Sequence, residues 1–520
     1  MKFFGKKSLL KNVAGIGGLT LLSRFLGIIR EVLLVRFLGV GVISDAFLTA
    51  YKLPNSLRKI FAEGALSAAM VPTLVSVMHT DGKDVVNRLM SLAFLIFEGV
   101  LLVLCALVIW KAKFVISIVA PGFSPLQVSY AVPYLQILMP FIFFLSSSAL
   151  LAGALQSVRH FFVPAFSPAL LNIVFISSLL ICLTKSLPVE YLCLFILFGG
   201  FVQLMFHLVT YIRLGFGFGK IDRAAWYHFK KVIMKFLPCL LSMSIMEIGL
   251  VVDTAFASYL QAGSVSLVYY ANRFMGIPLG VFAVSFSTVL LPHFSRIAMY
   301  APKRIGFYLL EAAKLVFWVS IPTLLIMGFF SEKIFATLFL SKKFSLAQVT
   351  EAGMILTAFL TGLFFFSLNK ILLNIYYAKH NTWIPTVVTI IAVCINIVLD
   401  FFLMRMFQAT GLALATVIAF AVQVVLLVWL LQRVFHVRIY LLAFLKFMYR
   451  FCLQLFVVFA GIFGLYHLLG KVIVQLPPAF VRFFVDGIGF WLWVGPLIVL
   501  GFLLLYLTRR LFKVQIYFLD

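Results

Sequence analysis

Apolar runs long enough to cross a bilayer recur along the whole chain, and this recurrence constrains the fold more than any single motif. A helix needs about 20 apolar residues to span hydrocarbon. Breaks at charge clusters and at Gly, Pro and Asn turns place fourteen such runs. The first seven lie near 12–38, 45–78, 89–118, 129–157, 163–184, 190–213 and 236–260. The others lie near 266–298, 306–330, 349–377, 383–404, 410–432, 444–469 and 485–508. No loop between them is long enough to fold by itself, so function must reside in the helices. Composition agrees. Hydrophobic residues make up 64% of the chain and charged residues 11%, against about 25% charged in soluble domains. So little polar surface cannot cover a water-facing globule. Soluble enzymes, disordered chains, disulfide scaffolds and ordinary nucleic-acid binders are excluded. The expected fold class is an all-α polytopic membrane protein of about fourteen transmembrane helices.

The net charge of +26 would suggest nucleic acid in a soluble protein. Here most cations lie between apolar runs, where they set topology and meet anionic headgroups. One set of alternate loops, together with both termini, holds 24 of the 42 Lys and Arg, and the opposite loops hold nine. That bias puts both termini in the cytoplasm, with Lys342 and Lys343 on the wrong side. The N-terminal lysines are followed by an apolar stretch with no small-residue cleavage site, so the reading is a retained first span and no signal peptide. The six cysteines sit in apolar surroundings without paired spacing and read as packing residues.

A faint internal echo suggests two lobes. Gly41 and Ser44 after span 1 recur as Gly263 and Ser266 after span 7, both offset by 222 residues, and each pair precedes a proline, Pro54 or Pro278. Repeats of six spans share one orientation and relate by an axis along the membrane normal. The expected organisation is an N-terminal lobe at 1–219, a basic amphipathic linker at 220–235, and a C-terminal lobe at 236–435. Two extra spans and a basic tail follow at 436–520. The six-helix lobes are expected to enclose a central cavity.

Charges inside apolar runs are costly and therefore informative. Span 1 carries Arg24, Arg30 and Glu31; span 2 carries Arg58 and Glu63; span 8 carries Arg273. A guanidinium in hydrocarbon costs at least about 3 kcal/mol even on the lenient insertion scale. Two readings are open. The arginines line a hydrated cavity that takes an anionic ligand, for which their bidentate fork suits phosphate. Alternatively, Glu31, Glu63 and Asp45 neutralise them in a structural network. Arg36 and Lys59 read as interfacial and snorkelling, and Lys314 likewise.

A second polar cluster has the opposite sign. Asp253 lies in span 7, Asn396 and Asp400 lie four residues apart on one face of span 11, and Thr416 lies in span 12. These are hard oxygen donors suited to an alkali or alkaline-earth cation, or to a proton on a buried carboxyl. Solvation of Asp400 at a loop end is the competing reading. The eight histidines are scattered, and no zinc, nucleophile-elbow or phosphate-loop motif is present. Any work must therefore come from gradients. An intramembrane glycosyltransferase would need a catalytic acid near a helix end, for which Asp45 is the candidate.

The runs SRFLGIIRE (Ser23–Glu31) and SDAFLTAYKLPNSLRKIFAEGALSAAMVP (Ser44–Pro72) resemble the bacterial lipid II flippases of the MurJ (MviN) family. APGF (Ala120–Phe123), PAFSPALLNI (Pro164–Ile173) and FASYLQAGSVSLVYYANRFMGIPLG (Phe256–Gly280) extend the likeness. The resemblance implies the fold of the multidrug/oligosaccharidyl-lipid/polysaccharide exporter superfamily. It implies a transporter, not an enzyme, in the bacterial cytoplasmic membrane. Its substrate would be lipid II, an undecaprenyl-pyrophosphate-linked disaccharide-pentapeptide, with membrane lipids and the cell-wall synthesis machinery as partners and no nucleic acid. An exporter of another polyprenyl-linked saccharide would share the fold. The family's cavity arginines fall on Arg24, Arg30, Arg58 and Arg273, with Asp45 and Glu63 beside them on the substrate side. Its sodium site, where defined, falls on Asp253, Asn396, Asp400 and Thr416, with Leu412 adding a carbonyl. Membrane potential and/or a cation gradient would then drive transport, with Na+ or H+ as the candidate coupling ion, and no other cofactor is expected. The last two spans resemble a pair whose groove accommodates a polyprenyl tail. Asn272 and Gly276 depart from the family at positions where an acid can occur.

Overall fold

The computed structural model describes residues 6–379 and 381–519, with only the backbone described at a minority of positions, Glu63 among them. The first five residues, His380 and Asp520 lie outside the described residues. The chain divides into two compact units, Met1–Ser266 and Leu267–Asp520.

The first unit opens with α1 (Lys6–Leu38) and α2 (Val42–Arg58), which passes through a π-helical stretch, Lys59–Leu66, into α3 (Ser67–Thr80). Next comes α4 (Lys83–Ala93), joined through π-helical Phe94–Glu98 to α5 (Gly99–Trp110) and followed by the short α6 (Ala112–Val119). Then come α7 (Pro125–Leu138), α8 (Phe141–Ser157), α9 (Phe162–Lys185), α10 (Val189–Arg213) and α11 (Arg223–Ala257). Local chemistry sets the starts. Ser124 caps α7, accepting from the Gln127 N–H while the Gln127 side chain accepts from the Ser124 N–H, and Pro125 occupies the first turn. Pro54 removes one rung from the α2 ladder, and the π-helical stretch follows it; Pro278 precedes a second one in the same way.

The core of this unit joins α3, α4, α8 and α11 through Met70, Leu74, Leu89, Leu151 and Phe229. The Phe97 ring meets Phe236 at 4.9 Å and Phe229 at 5.5 Å between centroids. Gly200 lets α10 approach α8, because a Cβ there would sit 2.8 Å from Phe141 Cδ2.

α12 (Ser264–Pro278) carries the chain into the second unit, through π-helical Leu279–Val284 to α13 (Ser285–Tyr300). Then come α14 (Ile305–Phe329), α15 (Ser331–Phe339), α16 (Leu346–Thr361) and α17 (Leu363–Ala378). The unit ends with α18 (Trp383–Phe435), α19 (Leu441–Val474), the single turn α20 (Pro478–Val481) and α21 (Phe490–Thr508). α16 and α17 form one passage bent by 41°. The 53-residue α18 breaks at Gln408, whose φ of 52° and ψ of −135° are not helical. Gly411 allows that fold-back, since any Cβ there would run into the Leu403 carbonyl. Aromatic packing fills this unit, with Phe317 edge-on to Phe364, Phe444 and Phe451.

Among the described residues, nine helices are long and apolar enough to cross a membrane, and the bent pair makes ten. Splitting α18 at Gln408, and counting α1, the α2–α3 passage and the α12–α13 passage, yields the fourteen expected spans. No strand occurs among the described residues, and the chain is an all-helical, multi-pass membrane protein. Polarity is inverted as lipid demands: Trp110, Met406 and Phe456 are all more than two-thirds exposed.

The segment expected as a linker at 220–235 is mostly the first turns of α11, continuous with the span that follows. Asp222 starts it. Its Oδ1 accepts the Ala225 N–H at 2.9 Å and its Oδ2 meets Arg88 Nη1 at 2.5 Å. The Ala225 bond first, then the Arg88 contact, hold this exposed carboxyl below the usual aspartate range. A depressed folded-state value contributes stability above the ordinary value of 3.8, lost as pH falls through the folded-state value. Wild type is therefore expected to lose melting temperature faster than Asp222→Asn as pH is lowered below 3.8, measured on purified protein in detergent.

Candidate functional site

Three of the four intramembrane arginines, Arg30, Arg58 and Arg273, are held by local partners. Arg30 on α1 is half-buried; its Nη1 donates to Asn172 Oδ1 at 2.9 Å and its Nη2 to Glu31 Oε1 at 2.6 Å. Its guanidinium also lies 5.2 Å from the centre of the Phe175 ring. Asn172 on α9 completes the lock by donating to the Ser23 carbonyl at 3.0 Å. Arg24, two turns earlier on α1, is exposed. Arg58, at the end of α2, donates Nε to Asn55 Oδ1 at 3.2 Å. In the second unit Arg273 is exposed and leans on Tyr269, one turn earlier, donating Nη2 to its hydroxyl at 2.9 Å. The side chain of Glu63 lies outside the described residues.

Asp45 has a different setting. It is 1% exposed, on the first turn of α2. Its Oδ2 accepts the Gly263 N–H at 2.6 Å and its Oδ1 the Ser266 N–H at 2.8 Å. One carboxylate thus satisfies two amides at the N-terminus of α12, where the helix dipole favours negative charge. Ser44 Oγ meets Ser266 Oγ at 3.2 Å, so the two turns that echo each other in sequence touch. Buried and turned to these two backbone amides, Asp45 lacks the exposure of a catalytic acid.

Two further charges are joined within the first unit. Lys59 Nζ reaches Glu247 on α11 at 3.1 Å, so Lys59 is paired and not merely snorkelling. Lys52 Nζ donates to the Leu250 carbonyl and the Thr254 hydroxyl, and Asp253 attracts it. Asp253, expected as a cation ligand, lies in the same unit as Lys52 and acts on its ammonium electrostatically. In the second unit Lys314 pairs with Glu311 at 2.6 Å, and Glu311 also accepts the Tyr517 N–H at 2.8 Å.

The remaining oxygen donors lie on the two limbs of α18. Asp400 is fully buried, not solvated at a loop end, and its Oδ2 accepts from Asn396 Nδ2 at 2.6 Å. Thr416 Oγ1 donates to the Leu412 carbonyl at 3.0 Å. A carboxylate, an amide, a hydroxyl and a carbonyl are the donor types that a small hard cation takes, so Asn396, Asp400, Leu412 and Thr416 fit it chemically.

α14, α19 and α21 also wall an apolar groove of about 520 Å³, lined by Phe329, Phe463, Tyr466, Leu497 and Phe502. It lies where the last two spans are expected to receive a lipid tail.

A family model described as lipid II flippase MurJ matches residues 34–484. The chain belongs to the MurJ family of lipid II flippases. A Rhizobium meliloti protein named as a probable lipid II flippase MurJ is 32% identical over 434 residues, which cover 81% of this chain and 80% of that one. A Burkholderia cenocepacia lipid II flippase MurJ is 30% identical over 416 residues, covering 78% of this chain and 81% of the relative. Among solved structures, a lipid II flippase MurJ in an inward closed conformation superposes with a TM-score of 0.77 at 27% identity. That alignment covers 95% of this chain and 99% of the other. A MATE-family multidrug resistance transporter in an inward-facing conformation aligns with a TM-score of 0.69 at 14% identity, over 78% of this chain and 94% of that one. The second likeness is one of fold alone.

Sequence reasoning missed several members of the polar network: Asn172, Glu247 and Glu311. The cost argument that isolated the arginines applies equally to Glu247 and Glu311, both acids in apolar runs, and would have called for a cationic partner for each. Asn172 gave no such signal, because a lone amide in a span carries no charge. Removing the Asp45 carboxylate leaves two buried amides unpaired. Asp45→Ala is therefore expected to cost about 2–3 kcal/mol of stability, measured by denaturant unfolding of the purified protein, with Asp45→Asn losing less.

Proposed function

We propose that this chain flips lipid II from the cytoplasmic to the outer leaflet of the bacterial cytoplasmic membrane, with both termini in the cytoplasm. Membership of the MurJ family over residues 34–484 carries the proposal. The polar chemistry supports it. Lipid II joins a long apolar tail to a sugar-peptide through a diphosphate, and the diphosphate is the part that hydrocarbon excludes most strongly. Arg24, Arg30, Arg58 and Arg273 would exchange the hydration of that diphosphate for charge-assisted bonds. Arg24 and Arg273 are the exposed pair, and Tyr269 supports Arg273 from one turn away without neutralising it. Arg30, already shared between Asn172 and Glu31, would position the α1 face. The apolar groove of α14, α19 and α21 would take part of the prenyl chain.

Movement of the headgroup follows a change of access from one side of the membrane to the other, in the manner of repeat-built transporters. Without a phosphate-binding loop, the step draws on gradients. An uncompensated cation crossing the membrane gains about 2.3 kcal/mol per 100 mV, enough to help reset empty arginines. A sodium ion at Asn396, Asp400, Leu412 and Thr416 would neutralise the Asp400 carboxylate while bound. Proteins that use lipid II in cell-wall synthesis would be its partners.

The test is replacement of the native flippase in a bacterium by this chain, reading growth and the lipid II that an externally added degrading toxin can reach. Arg24→Ala and Arg273→Ala should each reduce exposed lipid II at least tenfold, since one lost charge-assisted bond is worth about 1.5–3 kcal/mol. Membrane levels should be unchanged. Normal growth and exposure in both variants would remove the arginines from the mechanism.

A further inference from the structure

Glu98 ends the π-helical turn Phe94–Glu98 and is 4% exposed. Facing it from α8 are Ser146 and Ser147, both essentially fully buried. The two serine hydroxyls approach the carboxyl, yet neither they nor the two Glu98 oxygens close a hydrogen bond of good geometry. Ser148, the next residue, behaves ordinarily and bonds back to the Phe144 carbonyl at 2.7 Å. Four buried oxygens on two helices are thus gathered without partners. Buried polar atoms are rarely left so.

Among the described residues, no ion pair reaches Glu98. α8 carries no charged residue, and α5 offers only the Cys105 thiol, which feels the Glu98 charge. On α4, Arg88 is engaged by Asp222, and Lys83 by the Leu214 carbonyl and the Phe216 ring. From α11 the neighbours of Phe97 are the rings of Phe229 and Phe236. An ionised carboxylate cannot stay bare in such a place, so something must neutralise it there. One carboxylate and two hydroxyls are hard donors that balance a single positive charge. The π-helical turn is the local irregularity that functional sites in helices often show.

We propose that Glu98, Ser146 and Ser147 form a binding site for a small monovalent cation, a proton or a sodium ion, within the first unit. It shares no residue with the Asn396–Asp400 cluster. A part in driving transport rests on the flippase reading; the site itself does not.

The experiment uses the full chain, purified in detergent, with dicyclohexylcarbodiimide as probe. This apolar reagent attacks carboxyl groups in their protonated form, and mass spectrometry of the peptide containing Glu98 reads the adduct. For a proton site, labelling falls about tenfold for each pH unit above its midpoint and ignores NaCl. For a sodium site, NaCl suppresses labelling and the same concentration of choline chloride does not. A second measurement covers limited reagent access. The melting temperature of wild type should shift with pH or Na+, and Glu98→Gln, which keeps the shape and removes the charge, should lose that shift. Ser146→Ala combined with Ser147→Ala should move the midpoint or weaken the Na+ protection. Labelling indifferent to both pH and Na+, or no labelling together with identical melting of wild type and Glu98→Gln under all conditions, overturns the proposal.

Discussion

Hydrocarbon has nothing with which to hydrate a charge or an amide, so each charge placed among these apolar helices must find its partner inside the protein. Much of the tertiary structure can be read as the solution to that problem. Arg30 is divided between Glu31 beside it and Asn172 across the α1–α9 contact. Lys52 on α2 and Lys59 at the start of the π-helical stretch after it reach α11, through the stretch from Leu250 to Thr254 and through Glu247 respectively. Glu311 holds Lys314 one turn away and the Tyr517 amide of the C-terminal tail. These pairs fix which helix faces which. Lipid-facing apolar side chains, interchangeable in lipid, cannot do so.

Helix ends face the same constraint. The start of α12 is buried, so its first amides need acceptors away from water. Asp45 supplies them from the corresponding turn at the start of α2, and Ser44 and Ser266 close the contact between the two turns. Of the four residues matched in sequence, Ser44 and Ser266 therefore touch each other directly. The Asp45 carboxylate belongs to the architecture. Arg24 and Arg273 differ in being exposed, Arg273 with the Tyr269 hydroxyl against it, and exposure is what an anionic ligand would require of them.

The span count was legible because a twenty-residue apolar run has few other uses, and the Gln408 break falls between two runs that had already been read as separate. Helix continuity was not legible. The basic stretch at 220–235 looked like a surface linker by charge, but Asp222 starts a helix there that continues through the following span. Insertion cost singled out the four arginines, yet cost says only that a partner must exist. Choosing Asn172 for Arg30, or Glu247 for Lys59, needs the packing of helices more than a hundred residues apart in sequence. The oxygen donors of span 11 were readable because Asn396 and Asp400 share a helix face. Glu98 was passed over as one acid in an apolar run, although the cost that singled out the arginines applied to it equally.

The central claim is that this chain by itself carries a diphosphate-linked lipid across a bilayer. The most direct measurement is made on purified protein in vesicles holding fluorescent lipid II, with an impermeant quencher added outside to report label that crosses from the inner leaflet. The account predicts protein-dependent crossing of lipid II, accelerated by an imposed membrane potential or cation gradient, with no matching acceleration of a fluorescent phosphatidylcholine. Crossing no faster than in protein-free vesicles under every imposed gradient, or equal acceleration of both lipids, would contradict it.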